Sequence, residues 1–288
     1  MSERIKVKAG ETLEAALLRA FEGMSKTRLK TLLRDGRVSV NGVVVEGALM
    51  GLSGAEEVVV GPRQAKGPRD RVEPPFPILF EDEALIAVEK PAGLLSIGTE
   101  NKKDGTLYSL LNEYLEWRTF GKEHAYIAHR LDREVSGVVL FTKSTALKQT
   151  VMDQWPNAVK TYMARVEGLP PKPEDTLVAH LRENRAHVVY ADEPGKWTKE
   201  AVTHYRLVKK VGSGCLLEVR LGTGRHQQIR AQLSGMGCPI AGDKKYGAQG
   251  RFHGRIALHA ASLEVAHPVT GERLTITSPL PGSFHFPG

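Results

Sequence analysis

The sequence predicts an α+β protein in two unequal parts, and three observations carry that prediction. Beyond residue 76, runs that alternate like strands outnumber helical repeats and do not alternate with them regularly. This favours a mixed, largely antiparallel sheet over a doubly wound one, and the expected fold sets helices and loops around a central cleft. The leading residues 1–60 instead carry two amphipathic helical repeats followed by short β-branched runs, the pattern of a small α/β domain. Between the two, residues 61–75 (GPRQAKGPRDRVEPP) are rich in glycine, proline and charge and read as a linker. The division is therefore 1–60, 61–75 and 76–288.

In residues 11–22 (ETLEAALLRAFE), Leu13, Ala16, Leu17, Ala20 and Phe21 share one helical face before Gly23 breaks the pattern. Ser25 is a suitable N-cap for a second helix, whose apolar stripe is Leu29, Leu32 and Leu33 and whose stop is Gly36. Its other face carries Lys26, Lys30 and Arg34 with Arg28 beside them, and only Asp35 interrupts the positive charge before Arg37. In RVSVNGVVV, two β-branched runs flank Asn41-Gly42, a strong hairpin signal, and EEVVV adds a strand ending at Val60. In the larger domain, ALIAVEKP reads as a buried strand stopping at Lys90-Pro91, with Gly93 in the turn. TLYSLLNEYL follows as a helix that turns Leu107, Leu110, Leu111, Tyr114 and Leu115 inward. VVLF (Val138 to Phe141) is an apolar strand, and a helix begins near Ser144. KTYMARVEG and LLEVRLG alternate like half-buried strands. RHQQIRAQLSGMG reads as a helix with Ile229, Leu233 and Met236 inward, stopped by Gly237. LHAASLEVAHP and ERLTITSPLP supply the last strands.

With 288 residues, 41% of them hydrophobic and 25% charged, the chain has the makings of one sizeable core and a smaller one. No apolar run is long enough to span a membrane, and the N-terminus lacks a signal-peptide core, so a cytoplasmic protein is expected. Cys215 and Cys238 lie far apart and form no CxxC pair, which suits buried free thiols rather than a zinc site. A net charge of +7 points to a polyanionic partner, with nucleic acid foremost.

Chemistry concentrates in HRLDREVSG (His129 to Gly137), where Asp132 sits between Arg130 and Arg133 just ahead of the apolar strand. A carboxylate fixed among cations can act as a nucleophile or base, and an ordinary ion-paired turn would use the same residues. Other readings fail. The kinase-like HRD is broken by a leucine, with no downstream asparagine or Asp-Phe-Gly. GTGRHQ lacks the later glycine of a dinucleotide-binding turn, and there is no GKS or GKT phosphate loop and no GxSxG elbow. His253, His259, His267 and His285 lack metal-ligand spacing, so no metal site is expected. Asp243 and Tyr246, in GDKKYG, read as turn-formers.

Two resemblances sharpen this. SKTRLKTLLRDGRVSVNGVVV resembles the small RNA-binding domain named after ribosomal small-subunit protein four, which implies RNA-backbone contacts from Lys26, Arg28, Lys30, Arg34 and Arg37. EKPAGLLS, HRLDREVSG, KTYMARVEG and TGRHQQIRAQLSGMGCPIAGDKKYG, in that order, resemble the RluA-type pseudouridine synthases. The tail LHA…HPVTGERL…PLP fits the same pattern. The resemblance implies an isomerase over residues 76–288 that acts on structured RNA without a cofactor. The appended RNA-binding domain ranks ribosomal RNA of the large subunit ahead of transfer RNA, and a monomer is favoured, the sequence being silent on whether a dimer forms. The resemblance also implies Asp132 as the catalytic carboxylate, Arg230 as its partner, Tyr162 as the platform for the flipped uracil, Arg130 reaching into the RNA, and Arg225 and Lys90 as further RNA contacts. Whether Asp132 attacks the anomeric carbon, removes a sugar proton or adds to the ring stays open.

Two departures from the family pattern stand out. Glu134-Val135 replaces the usual Asp-Thr, and Gln227 stands where histidine is usual, with His226 one position earlier. The rival readings are a non-catalytic RNA-binding assembly factor that keeps the fold, and a hydrolase releasing the base. The hydrolase would need a second positioned carboxylate, and near Asp132 the sequence offers only Glu134.

Overall fold

The computed structural model describes all residues except 1–2, 22, 35, 46–49, 62–73, 99–103, 120 and 285–288, together with the side chains of residues 27, 30 and 34. Most of the expected linker, His285, and the side chains of Lys30 and Arg34 therefore lie outside the described residues. The chain forms two compact units, residues 1–73 and 74–288. No described helix is long and apolar enough to cross a membrane.

The smaller unit holds β1 (Glu3–Ile5), α1 (Leu13–Ala20), α2 (Lys26–Arg34), β2 (Val38–Val40), β3 (Val43–Val44) and β4 (Val58–Val60), with sheet order β1-β4-β2-β3. Thr12 caps α1, and Ser25 caps α2 by accepting the Arg28 backbone N–H at 3.2 Å. The apolar stripes of both helices, Leu13, Ala16 and Leu17 with Leu29, Leu32 and Leu33, close on Val38, Val40 and Val58. Asn41 (φ 51°) and Gly42 (φ 78°) both take the left-handed conformation that a two-residue hairpin turn between β2 and β3 demands. The Asn41 carboxamide also accepts the Glu57 N–H at 2.8 Å, tying the turn to the strand beside it.

The larger unit runs β5 (Ile78–Glu81), β6 (Leu85–Lys90), α3 (Leu107–Thr119), β7 (Tyr126–Ile127), β8 (Ser136–Thr142), α4 (Thr145–Gln154) and β9 (Val159–Glu167). It continues through β10 (Glu174–Glu183), β11 (Val189–Asp192), β12 (Lys199–Val211), β13 (Gly214–Leu221), α5 (Gln228–Gly235), β14 (Leu258–Ala266) and β15 (Arg273–Thr277). Its sheet has the order β11-β10-β12-β13-β9-β14-β8-β6-β5, with β15 beside β14 and β7 beside β8. Among the described pairings only β8 with β14 is parallel, so the architecture is the mixed, largely antiparallel α+β one expected.

Strand β8 is buried from end to end, which explains why VVLF does not alternate. Val139 and Phe141 face the core that contains Leu107, Leu111 and Leu115 of α3, while Val138 and Leu140 face the one that contains Val151 of α4. β10, β11 and β12 escape the sequence reading. The inward positions of β12 are Ala201, Thr203 and Tyr205, small or polar side chains that leave no apolar period to detect.

Where β8 meets β14, Gly137 has φ 117°, and a Cβ there would lie 2.2 Å from the Ala260 carbonyl oxygen. Both the conformation and the approach exclude a side chain. Gly137→Ala is expected to lower unfolding free energy by about 3 kcal/mol, read as a reduced urea midpoint; an unchanged midpoint would show that the two strands can part at no cost.

Candidate active site

The segment carrying Asp132 is a loop between β7 and β8, held in place by the loop that follows β6. Ser96 Oγ donates to the Leu131 carbonyl at 2.7 Å and accepts the Leu131 N–H at 3.0 Å, standing in for a strand partner. Gly93 N–H donates to the Arg133 carbonyl at 2.7 Å, and Arg133 Nε returns a bond to the Gly93 carbonyl at 3.1 Å. Lys90 is wholly buried, and its ammonium donates to the carbonyls of Pro91 (3.0 Å), Leu94 (2.7 Å) and Arg133 (3.1 Å). The expected RNA contact of Lys90 is therefore corrected: its three donors are spent on backbone, and no phosphate can reach them. Burial pulls its pKa down to about 8, against the opposing pull of Glu134 and Asp132.

The opposite wall is the turn from β13 into α5. Gln227 adopts φ 50° and ψ 23°, a left-handed conformation rare outside glycine, and α5 starts immediately after it. The buried Gln228 amide fixes this turn: its oxygen accepts from Thr223 Oγ1 (2.8 Å) and Arg225 N–H (2.9 Å), while its nitrogen donates to the Val202 carbonyl and Thr203 Oγ1. Arg230, two residues on, is thereby aimed across the cleft. Its guanidinium makes a two-pronged pair with Asp243, Nε to Oδ2 at 2.7 Å and Nη2 to Oδ1 at 2.9 Å, and Nη1 donates to Asp132 Oδ2 at 3.2 Å. Side-chain exposure falls from 23% at Asp132 to 5% at Arg230 and 1% at Asp243, so the chain of charges runs from the cleft inward. Burial disfavours the Arg230 cation, but the hydrogen bonds and charge of Asp243, and then those of Asp132, outweigh it and hold the pKa above the ordinary value. Tyr246 lies beneath, its ring centroid 5.1 Å from the guanidinium carbon and its hydroxyl donating to Gln227 Oε1 at 2.6 Å.

Asp243 and Tyr246 thus have more to do than form a turn. The sequence signal was the GD…YG spacing following QQIR, but nothing in it announces burial. Glu134 also approaches from the turn ahead of β8, its Oε2 lying 3.6 Å from Arg230 Nη1. Val135, in place of the family's hydroxyl, is buried in the apolar core.

These walls enclose a cleft of about 430 Å³ that Asp132, Arg230, Tyr162, Arg130 and Arg225 all line. Tyr162, on β9, pairs with Val219 and Ala260 of the flanking strands, which fixes its backbone from both sides. Burial, and then the charge of Asp132, push its phenol above its ordinary range. Arg130 is exposed at the rim, and Arg225 is tethered by Nε to the Glu200 carbonyl at 2.9 Å. His129, Trp155 and Lys160 also line the cleft and were not singled out from sequence. The His129 and Trp155 rings lie 4.9 Å apart, and Lys160 Nζ sits 5.0 Å from the indole centroid. Among the described residues, no group of three or more His, Cys, Asp or Glu side chains converges as a metal site.

In the smaller unit, Arg28 is exposed and forms no ion pair among the described residues, whereas Lys26 pairs with Glu14 at 3.1 Å and Arg37 Nε donates to the Gly61 carbonyl at 3.0 Å.

Comparison with known proteins agrees with this architecture. The RNA pseudouridylate synthase family matches residues 84–235. An uncharacterised RNA pseudouridine synthase of Synechocystis is 31% identical over 96% of this chain and 87% of its own. The ribosomal large subunit pseudouridine synthase D of Pseudomonas aeruginosa is 30% identical over 96% and 90% respectively. The structure of human RNA pseudouridylate synthase domain containing 4 superposes with a TM-score of 0.61 at 24% identity, covering 72% of this chain and 89% of that one. The chain belongs to the RluA-type RNA pseudouridine synthases. It is an isomerase that converts uridine to pseudouridine in RNA.

Two outcomes are expected of this site. Asp243→Asn keeps the shape but removes the charge opposite a buried guanidinium, which should cost about 3 kcal/mol of stability and, by loosening Arg230, lower the single-turnover rate by about tenfold or more. A urea titration and a rate measured well below the melting point separate the two effects; a full rate would leave Asp243 a purely structural role. The second concerns His129, whose Nε2 accepts the Leu140 N–H and whose pKa is pushed down to about 3 by burial and then by Lys160. The unfolded chain takes up this proton first, near pH 6.5. The resulting stability is complete above that pH and drains away as pH falls toward about 3. Buried His259, lowered to about 4 chiefly by burial, adds the same sign. Unfolding free energy should therefore fall between pH 6.5 and 5, and less steeply in His129→Gln; equal slopes would contradict the assignment.

Proposed function

We propose that the cleft isomerises uridines of large-subunit ribosomal RNA, with Asp132 as the catalytic carboxylate, Arg230 as its partner and Tyr162 as the platform for the flipped base. The observation that carries this is the Asp132–Arg230–Asp243 chain: one carboxylate, aimed by a buried arginine, in a cleft lined by an aromatic ring. The ribosomal assignment is supported by relatives whose names specify the large ribosomal subunit. The enzyme so proposed works in the cytoplasm as a monomer.

The chemistry sets modest demands. The bond from C1′ of ribose to N1 of uracil breaks, the base turns, a bond from C1′ to C5 forms, and the C5 proton is lost while N1 gains one. The sum is an isomerisation without net oxidation, and one carboxylate can begin it by attack on the sugar, proton removal or addition to the ring. The base must first leave its stack, at a cost of about a few kcal/mol, which cations at the rim such as Arg130 and Arg225 and stacking on Tyr162 can offset. The detached uracil must stay in the cleft, so water exclusion there matters as much as the carboxylate. Glu134 supplies a second carboxylate near Arg230, so hydrolysis with release of uracil is the outcome to test against.

The test is a site-by-site pseudouridine map of total cellular RNA from wild type, a deletion strain and Asp132→Asn. The expected result is loss of the same large-subunit sites in both altered strains. Loss confined to transfer RNA would replace the substrate, release of free uracil by the purified enzyme would favour hydrolysis, and no loss anywhere would favour the binding-factor reading.

The smaller unit is proposed to grip RNA backbone through Arg28 with Lys26 and, from the sequence pattern, Lys30, Arg34 and Arg37. Lys26→Glu with Arg28→Glu should weaken binding most at low salt and flatten the dependence of log affinity on log salt by about 1 to 2 units. Unchanged affinity at low salt would remove that assignment.

A further inference from the structure

The enzyme acts on RNA, yet the residues so far assigned to the cleft account for one base and scattered phosphates. An exposed tryptophan lies outside that account. Trp197 is 70% exposed, more than any other large apolar side chain among the described residues. An indole left in water forgoes the burial that normally fixes a tryptophan in place.

Its setting is ordered. Residues 193–198 join β11 to β12, and Gly195 N–H donates to Thr198 Oγ1 at 2.8 Å, while the Thr198 N–H and hydroxyl both return to the Gly195 carbonyl, at 3.1 and 3.0 Å. The turn presents Trp197 at its tip, and Lys196 Nζ lies 5.2 Å from the ring centroid. An exposed aromatic face beside an ammonium is the combination that takes a base and its phosphate. The surrounding charges are mixed, with Glu193 and Glu200 as well as Lys196 and Lys199 exposed, so stacking rather than net charge would provide the attraction.

The turn crosses β10, which lies between β11 and β12 in the sheet, and it is joined to the cleft. The Glu200 carbonyl holds Arg225, a cleft-lining residue, and the Val202 N–H donates to Thr223 Oγ1 at 2.9 Å in the turn that leads to Gln228. Trp197 therefore stands three residues before Glu200, where β12 grips the cleft wall.

We propose that Trp197 stacks on an unpaired base of the substrate RNA next to the flipped uridine, making the β11–β12 turn part of the binding site. It is a binding subsite, distinct from the group that does the chemistry. Truncating it should weaken RNA capture and leave turnover intact, and another aromatic ring should restore it.

The test uses the full chain and bulk RNA, ribosomal and transfer together, from a deletion strain, and so does not depend on which RNA class holds the site. Trp197→Ala should raise the apparent KM about tenfold with kcat within twofold of wild type, and Trp197→Tyr should recover most of the loss. A KM within twofold of wild type in the alanine variant would overturn the proposal. So would a fall in kcat at unchanged KM, or a tyrosine variant no better than alanine.

Discussion

The site depends on one constraint: a guanidinium buried to 5% exposure must be matched by carboxylates on both sides. Arg230 satisfies it inward through the two-pronged pair with Asp243 and outward through Asp132. A buried pair of this kind is expensive to assemble and more expensive to break, so its value lies less in stability than in geometry. The Asp243 side fixes the plane of the guanidinium, leaving Nη1 to set where the Asp132 carboxylate can stand. Each participant is then held by neighbours that carry no chemistry: Gln228 fixes the turn before Arg230, and Ser96 and Lys90 fix the loop around Asp132. The proposed catalytic carboxylate is thus exposed enough to meet a substrate and too well tethered to drift from it.

The sheet explains why segments far apart in sequence can converge here. Asp132 precedes β8, Tyr162 lies on β9, and Arg230 sits on the helix after β13, while in the sheet β14 separates β8 from β9 and β13 adjoins β9. The parallel contact of β8 with β14 is the tight point of this arrangement. It requires a residue without a side chain at Gly137, five positions after Asp132. Fold and site are therefore coupled through a backbone approach.

Much of this was legible in the sequence, and the gaps have physical causes. The helices of the smaller unit, its hairpin and the Leu29, Leu32 and Leu33 stripe follow from periodicity and from Asn41-Gly42, where local rules suffice. Residues 132, 162 and 230 meet in one cleft as the ordered motifs implied. What the sequence concealed were facts of burial and partnership. Lys90 looks like any cation before a proline, yet three carbonyls around a buried ammonium make it a structural clamp. Asp243 sits in a glycine-flanked turn, and only its 1% exposure and its bond to Arg230 distinguish it from a solvent-facing turn residue. β12 hides because its inward face is built from Ala201, Thr203 and Tyr205, with Thr203 donating to Gln232 inside the unit rather than making an apolar contact.

If Asp243 acts on the reaction only by holding Arg230, the two residues form one unit, and a double-mutant cycle on single-turnover rates measures that directly. With Asp243→Asn, Arg230→Lys and the pair compared at a temperature where all three stay folded, the double variant should be no slower than the worse single. Losses that multiply would mean that Asp243 and Arg230 act separately, and would contradict the account of a carboxylate aimed by a single buried chain of charges.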